Sequence, residues 1–205
     1  MRPPSKRRLG IVLFPGFELL DVFGPAEMFG NLRNQIELVM VAAASGAVAS
    51  AQGPAAIADV SLSDCPPLDM LLVPGGIGTR REVENATLLD WLRTRAAGAE
   101  IVMTVCTGTA LLARAGVLDG RRATTNKRAF DWVASQGPGV EWVRPARWVE
   151  DGKFATSSGV SAGIDMALAV IERLYGEETA RALEIGTEYD RHRDPSWDPF
   201  AEIHA

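Results

Sequence analysis

EIVMTVCTGTALLARAG, residues 100–116, joins an apolar run to a helical pattern, and a cysteine stands at the junction. The run from Ile101 to Val105 has the continuous apolar character of a strand that is buried on both faces. The residues after Gly108 have the spacing of a helix. We therefore predict that Cys106 lies at the turn where a strand becomes a helix, and Gly108 suits the tight backbone of such a turn.

The same alternation of strands and helices extends through most of the 205 residues. Strands are predicted at RLGIVLF (8–14), IELVMVAAA (36–44), LDMLLVPGG (68–76) and EIVMTV (100–105). Helices are predicted at LLDVFGPAEMFGN (19–31), NATLLDWLRTRAAG (85–98), GTALLARAGVL (108–118), KRAFDWVASQ (127–136), AGIDMALAVIERLYG (162–176) and EETARALEIGTEYD (177–190). This order is typical of the α/β class, so we predict a three-layer α/β/α sandwich with a mostly parallel sheet.

The remaining segments complete the predicted organisation. Pro25 is expected to interrupt the first helix or to delay its start, because proline fits best in a first turn. Residues 45–64 are interpreted as loops with short strands, and VEWVRPARWVEDGKFATSS (140–158) as a hairpin that turns at Asp151-Gly152. We predict one domain over residues 1–205, with a core at 9–189 and a C-terminal tail at 190–205.

Composition excludes several functional classes. The net charge is −5 and the acids and bases are interspersed, which argues against a nucleic-acid partner. The basic start MRPPSKRR is followed by an apolar run too short for a signal peptide or a membrane span, so we expect a soluble, unexported, cytoplasmic protein. Two cysteines and two histidines provide neither a disulfide framework nor a zinc-binding spacing, and we predict no metal or cofactor. Cys65 is interpreted as structural.

Three predicted strand ends bring chemistry-bearing residues together. Ligands of open α/β sheets bind beyond the carboxyl ends of the strands, which is where Cys106, the Gly75-Gly76 pair and Asp21 are expected. A helix N-terminus favours a thiolate, so we expect a lowered pKa for Cys106. Two structural interpretations remain open: Cys106 as a small buried apolar residue, and Asp21 as an acid that stabilises a helix N-terminus.

Four motifs resemble the ThiJ/PfpI superfamily: LFPGFELLDVFGPAEMF (13–29), LLVPGG (71–76), VCTGTALLARAGVLDGRRATTN (105–126) and GVSAGIDMAL (159–168). The resemblance covers residues 9–189 and implies a flavodoxin-like sandwich related to class I glutamine amidotransferases. Within the superfamily, the pattern is most similar to isocyanide (isonitrile) hydratases and to the sensor domains of some AraC-type regulators. The resemblance, together with the apolar residues from Phe23 to Phe29, implies a homodimer.

The resemblance also implies roles for individual residues. Cys106 takes the position of the nucleophile at a nucleophile elbow, and Asp21 that of its acidic partner. The backbone amides of Gly76 and Thr107 take the positions of the oxyanion donors. The expected substrate pocket is formed by Gly75, Ser158, Gly159 and Val160.

The histidine content separates the possible chemistries. Superfamily members with protease, glyoxalase or deglycase activity usually carry a histidine close to the elbow cysteine, where this chain has Thr107. Asn126 in TTNK stands where relatives with TTHW have a histidine. A cysteine–histidine–aspartate triad would have to recruit His192, which we interpret as a solvated tail residue. Glyoxalase, deglycase or amidase activity is therefore an alternative, as is a non-catalytic domain that senses a ligand or an oxidant.

The acid–thiol pair favours a specific reaction. Two adjacent negative charges disfavour one another, so Asp21 and Cys106 are expected to hold one proton between them. Such a pair can attack the terminal carbon of an isocyanide and protonate the adduct, which water then converts to an N-substituted formamide. The sequence therefore predicts a hydro-lyase that acts on a small molecule.

Overall fold

The computed structural model describes residues 6–204, so residues 1–5 of the segment MRPPSKRR and residue 205 lie outside the described residues. The described residues form eleven strands: β1 (Arg7–Val12), β2 (Ile36–Ala42), β3 (Gly46–Ala49), β4 (Ala55–Ala58), β5 (Val60–Ser61), β6 (Met70–Val73), β7 (Ile101–Val105), β8 (Arg122–Ala123), β9 (Glu141–Trp142), β10 (Trp148–Asp151) and β11 (Phe154–Ser157). The predicted strands and the short strands of residues 45–64 are therefore present.

The same residues form eight α-helices: α1 (Leu19–Gly30), α2 (Thr79–Glu82), α3 (Ala86–Gly98), α4 (Thr109–Arg114), α5 (Phe130–Ser135), α6 (Ala162–Tyr175), α7 (Glu177–Thr187) and α8 (Phe200–Ile203). A single 3₁₀ turn, Cys106–Gly108, connects β7 to α4. No helix within residues 6–204 is both long and apolar enough to cross a bilayer.

The central sheet has seven strands in the order β10-β11-β7-β6-β1-β2-β5. Its neighbouring strands are parallel except for β10 and β11, which form an antiparallel hairpin. Gly152 has a φ of +60° in the turn of this hairpin. The predictions of a mostly parallel sheet and of a turn at Asp151-Gly152 are confirmed.

Helices cover both faces of the sheet. α1 connects β1 to β2, whereas α3 connects β6 to β7 in the opposite direction across the sheet. Because parallel crossovers are right-handed, these helices lie on opposite faces. α6 packs against α1, and α4 packs against α3. The predicted α/β/α sandwich is confirmed, and the direction of the chain reverses between β1 and β6, where α/β proteins form ligand crevices.

Pro25 lies inside α1, so the prediction that it interrupts or delays this helix is wrong. Proline removes one helical hydrogen bond because it has no backbone N–H. Close packing against α6 stabilises the helix in spite of that loss: a Cβ on Gly24 would lie 2.8 Å from Cγ1 of Ile164. Tertiary contacts therefore outweigh the local preference of the sequence.

Several other elements are shorter than predicted or pair differently, and α4 and β9 are the clearest cases. α4 ends at Arg114 rather than at residue 118, because the chain turns at Gly116, whose φ is +71°. β9 pairs in parallel with β8 instead of extending the hairpin of β10 and β11. Trp142 therefore belongs to a separate two-stranded sheet.

The C-terminal segment, residues 190–204, packs against the rest of the chain. The Arg147 N–H donates to the Pro195 carbonyl at 2.8 Å, and the Asp198 N–H donates to the Pro145 carbonyl at 2.8 Å. The Asp198 carboxylate is buried and accepts a hydrogen bond from the Ser158 hydroxyl. This segment is therefore part of the packed structure rather than a tail outside it.

Candidate active site

Cys106 is the first residue after β7, and its backbone has a φ of +56°. A residue other than glycine is strained in this region by about 1–3 kcal/mol, so the surrounding structure must hold it there. The Cys106 N–H donates to the Ser158 carbonyl at 3.1 Å, and the Thr125 hydroxyl donates to the Cys106 carbonyl at 2.7 Å. The prediction that Cys106 lies at the turn from a strand to a helix is confirmed.

Gly108 allows the turn after Cys106 to lie close to the end of β6. Its backbone is helical, with φ of −58°, so a positive φ does not explain the glycine. A Cβ at this position would collide with the carbonyl oxygen of Val73 at the end of β6. Gly108 is therefore required by the close approach of two strand ends.

Asp21 lies in the first turn of α1 and is fully buried. Its Oδ2 accepts a hydrogen bond from the Gly75 N–H at 2.8 Å. Its Oδ1 is buried and has no hydrogen-bond partner of ordinary geometry within residues 6–204. The Cys106 thiol lies close enough to this carboxyl for each group to affect the pKa of the other: the thiol lowers the pKa of Asp21, and the Asp21 charge raises the pKa of Cys106. The fold thus brings the predicted acid and thiol together.

Burial raises the pKa of both groups. The Asp21 pKa lies well above the ordinary carboxyl value because the carboxylate is desolvated, although the Gly75 N–H opposes this effect. The Cys106 pKa is raised first by burial and second by the charge of Asp21, while the N–H groups of Thr107 and Val160 oppose both. The expectation of a lowered thiol pKa is therefore wrong, because desolvation outweighs the backbone amides at the start of the six-residue helix α4.

The Gly75-Gly76 pair allows the Asp21 carboxyl and the turn at Cys106 to approach each other closely. A Cβ on Gly75 would lie 2.5 Å from the Thr107 nitrogen and 2.9 Å from Oδ2 of Asp21. Gly76 has a φ of +122°, which is a glycine conformation. Its N–H donates to Oγ1 of Thr107 at 3.0 Å. Of the two predicted oxyanion donors, the Thr107 amide therefore faces the thiol, whereas the Gly76 amide is paired with the Thr107 side chain.

The segment from Ser158 to Val160 lies beside the site, but of the predicted pocket residues Gly75, Ser158, Gly159 and Val160 only Val160 lines the cavity at Cys106. Val160 has a φ of +28°, and its N–H faces the thiol, a contact that the sequence did not predict. A Cβ on Gly159 would lie 2.5 Å from Nδ2 of Asn126, so the glycine admits this amide. The Ser158 hydroxyl donates to Asp198, and its carbonyl accepts from Cys106.

A cavity of about 250 Å³ opens in front of the thiol. Its lining comprises Glu18, Gly76, Ile77, Arg80, Cys106, Thr107, Asn126, Arg128 and Val160. A second cavity of about 320 Å³ shares Asn126, Arg128 and Val160 with it and extends to Phe200 and His204 near the C-terminus. The charged residues Glu18, Arg80 and Arg128 were missed by sequence reasoning, because no motif marks them and only the fold brings them to the thiol.

Comparison with known proteins identifies the family. The profile described as the DJ-1/PfpI family matches residues 7–173, a range that includes Asp21, Cys106 and Val160. The chain belongs to the DJ-1/PfpI family.

Two relatives agree with this membership of the DJ-1/PfpI family, and a third protein shares the fold. The chain is 35% identical to the isonitrile hydratase of Pseudomonas putida over 183 residues, which are 89% of this chain and 78% of that protein. A ThiJ/PfpI family protein from Pseudomonas syringae superposes with a TM-score of 0.85 at 30% identity, over 92% of this chain and 77% of that one. Drosophila melanogaster DJ-1beta superposes with a TM-score of 0.79 at 23% identity, over 91% of this chain and 100% of that one.

Neither histidine of this DJ-1/PfpI protein lines the cavity at Cys106. The His192 N–H donates to Oδ1 of Asp165 at 3.0 Å, and its ring centroid lies 6.0 Å from that of Trp197. Its Nε2 is buried without a partner in the part of the chain that the structure describes, so the interpretation of a solvated tail residue is wrong. His204, rather than His192, lies nearer the site, because it borders the adjoining cavity.

Proposed function

We propose that this protein hydrates small organic isocyanides to N-substituted formamides. The observation that carries the proposal is the buried pair of Asp21 and Cys106, of which Cys106 lines a cavity whose described lining contains no histidine. Similarity to the isonitrile hydratase of Pseudomonas putida over most of both chains supports the same reaction.

In the first half of the reaction the pair carries one proton, which passes from the Cys106 sulfur to Asp21 as the sulfur attacks. The Cys106 sulfur forms a bond to the terminal carbon of the isocyanide, which accepts the electron pair. The carbon then takes the proton from Asp21, which gives a thioimidate, R–N=CH–S–Cys106, and leaves Asp21 ionised. The raised pKa of the buried Asp21 carboxyl suits this step because burial favours its protonated form.

Water completes the reaction. Its oxygen attacks the thioimidate carbon, one of its protons goes to the substrate nitrogen, and the other returns to Asp21. The carbon–sulfur bond breaks, Cys106 leaves as a thiolate, and the product is R–NH–CHO. The Thr107 and Val160 amides face the sulfur and stabilise the thiolate as it departs.

Purified protein is tested with a neutral isocyanide such as cyclohexyl isocyanide, and N-cyclohexylformamide is measured by NMR. We expect turnover in the wild type, none in Cys106→Ala, and unchanged turnover in the control Cys65→Ala, since Cys65 lies outside the cavity. In D₂O we expect deuterium on the formyl carbon, because its hydrogen comes from Asp21, whose proton exchanges with solvent.

Two results would contradict the proposal. Absence of formamide from several alkyl and aryl isocyanides, together with conversion of methylglyoxal to lactate through Cys106, would favour a glyoxalase. Absence of both activities, together with a small molecule that raises the melting temperature of wild type but not of Cys106→Ala, would favour a sensor.

A further inference from the structure

Two arginines at the rim of the cavity lack the partners that most arginines of this chain have. Arg80 and Arg128 both line the cavity at Cys106, and neither forms an ion pair within 4.0 Å among residues 6–204. Unpaired guanidinium groups at the mouth of a reactive site attract anions.

Arg80 is held in place rather than free in solvent. Its Cζ lies 3.3 Å from the ring centroid of Trp132, so the guanidinium stacks flat on the indole. Its edge remains available, and a guanidinium edge binds a carboxylate through two parallel hydrogen bonds. Arg80 and Cys106 line the same cavity, so the guanidinium and the sulfur face the same space.

Asn126 adds a neutral donor to the same wall. Its Oδ1 accepts the Ala129 N–H at 3.0 Å, which assigns the orientation of the amide. Its Nδ2 therefore lies on the side of Gly159, and both cavities border this residue. The cavity thus presents two guanidinium groups and one amide nitrogen.

Glu18 is the one carboxylate among the described residues that line this cavity. Both of its oxygens accept from Nε2 of Gln52 at 2.7 Å, so the group is engaged by a residue outside the cavity. With one hydrogen-bonded carboxylate and two guanidinium groups that lack ion pairs, the rim of the cavity carries a net positive charge.

We propose that the isocyanides taken by this protein carry a carboxylate, bound by Arg80, Arg128 and Asn126 while the isocyanide carbon meets Cys106. The proposal of a carboxylate substrate rests on the proposed hydratase function. The cavity of about 250 Å³ limits the substrate to a small isocyano acid. Recognition at one end of the molecule orients the reactive carbon at the other end.

Turnover tests the substrate class with isocyanoacetate and its neutral methyl ester. In the wild type we expect a higher kcat/KM for the acid than for the ester. The ratio of these two values should fall about 10-fold in Arg80→Gln and in Arg128→Gln, because each variant loses a charge-assisted contact. Arg33→Gln is the matched control: Arg33 is exposed, lacks an ion pair in the described residues, and lies outside the cavity. A ratio unchanged in both cavity variants overturns the proposal.

Calorimetry with the products tests anion binding without turnover. N-formylglycine should bind more tightly than its methyl ester, and the preference should fall about 10-fold in each cavity variant and at high salt. Equal affinities of the wild type for the two compounds overturn the proposal. A wild type that hydrates neither isocyanide but still prefers N-formylglycine overturns the hydratase function and upholds the anion site.

Discussion

Asp21 and Cys106 show, at the scale of single residues, that the site is built at the expense of stability. Cys106 has a strained φ of +56°, and Asp21 places one buried oxygen where the described residues offer it no ordinary hydrogen bond. Both features oppose folding, and both agree with the proposed site, in which a proton moves between carboxyl and thiol.

Asp21→Asn should lower kcat by about 10²–10⁴-fold, because the amide cannot deliver a proton. The same change should raise stability at neutral pH. Burial raises the Asp21 pKa, so the folded state binds more protons than the unfolded state, and stability falls as pH rises from the ordinary carboxyl range through the raised pKa. Asparagine does not ionise, so the variant does not lose stability in this pH range.

Thermal unfolding at several pH values measures the effect. We expect a gain of about 1–3 kcal/mol for Asp21→Asn above the raised pKa, or about 2–4 °C in Tm per kcal/mol, and a smaller gain in acid. A variant that is less stable than the wild type at neutral pH would show that the Asp21 charge is compensated in the folded protein.

Gly75→Ala should damage the site through its backbone. The new methyl group would lie 2.5 Å from the Thr107 nitrogen, and backbone cannot move aside as a flexible side chain can. We expect a loss of about 1–3 kcal/mol in urea unfolding and slower alkylation or turnover at Cys106.

Gly186→Ala is the matched control for this substitution. Gly186 lies in α7, and nothing lies within 4 Å of the position where its Cβ would be. An added methyl group should therefore be neutral or stabilise the helix by up to about 1 kcal/mol. Equal losses in the two variants would refute the steric explanation.

The C-terminal segment shows, at the scale of elements, how a distant part of the chain reaches the site. Asp198 accepts from Ser158, and Ser158 in turn holds the Cys106 N–H through its carbonyl. Nζ of Lys127 lies 3.8 Å from Asp198, and burial lowers the pKa of this lysine to about 8. The C-terminal segment is thus anchored next to the strained turn at Cys106.

Asp198→Ala should destabilise the protein by about 3–5 kcal/mol, because it leaves the buried Lys127 charge without its counter-ion. Limited proteolysis should then cleave the segment after α7 faster than in the wild type. Asp194→Ala is the control, since Asp194 is exposed in the same segment and bonds only to Ser196 among the described residues. Unchanged unfolding and proteolysis of Asp198→Ala would mean that this carboxylate does not anchor the segment.

At the scale of the whole molecule, the exposed apolar residues bear on the predicted homodimer. Phe29 is fully buried, so the stretch from Phe23 to Phe29 is not a surface as a whole. Phe23 is 45% exposed and Leu20 is 41% exposed on α1, and Phe200 of α8 is 50% exposed. Leu20 and Phe200 line the same cavity, which places these two helices side by side.

Phe23→Glu should weaken a dimer that uses this surface, because it introduces a charge among apolar contacts. Light scattering should give about twice the chain mass of 22.0 kDa for the wild type at micromolar concentration, and a lower mass for the variant. Ile57→Glu, on the exposed side of β4, is the control for an added charge. A wild-type mass of one chain at every concentration would refute the dimer.

Local patterns in the sequence determined the fold class and the position of the thiol. Apolar runs, helical spacing and glycine positions are properties of a few neighbouring residues, which is why the sheet, the turn at Cys106 and the hairpin at Asp151-Gly152 were predictable. The pairing of Asp21 with Cys106 followed because parallel strands end at one edge of the sheet.

Only the tertiary structure decided the features that depend on contacts between distant residues. Packing against α6 keeps α1 continuous through Pro25, which no local pattern reveals. Desolvation raises the Cys106 pKa, although its place at a helix N-terminus predicted the opposite, because burial is a property of the whole fold. Arg80 and Arg128 lie 48 positions apart in the sequence and share one cavity only because the chain between them, from α3 to β8, returns to the same end of the sheet.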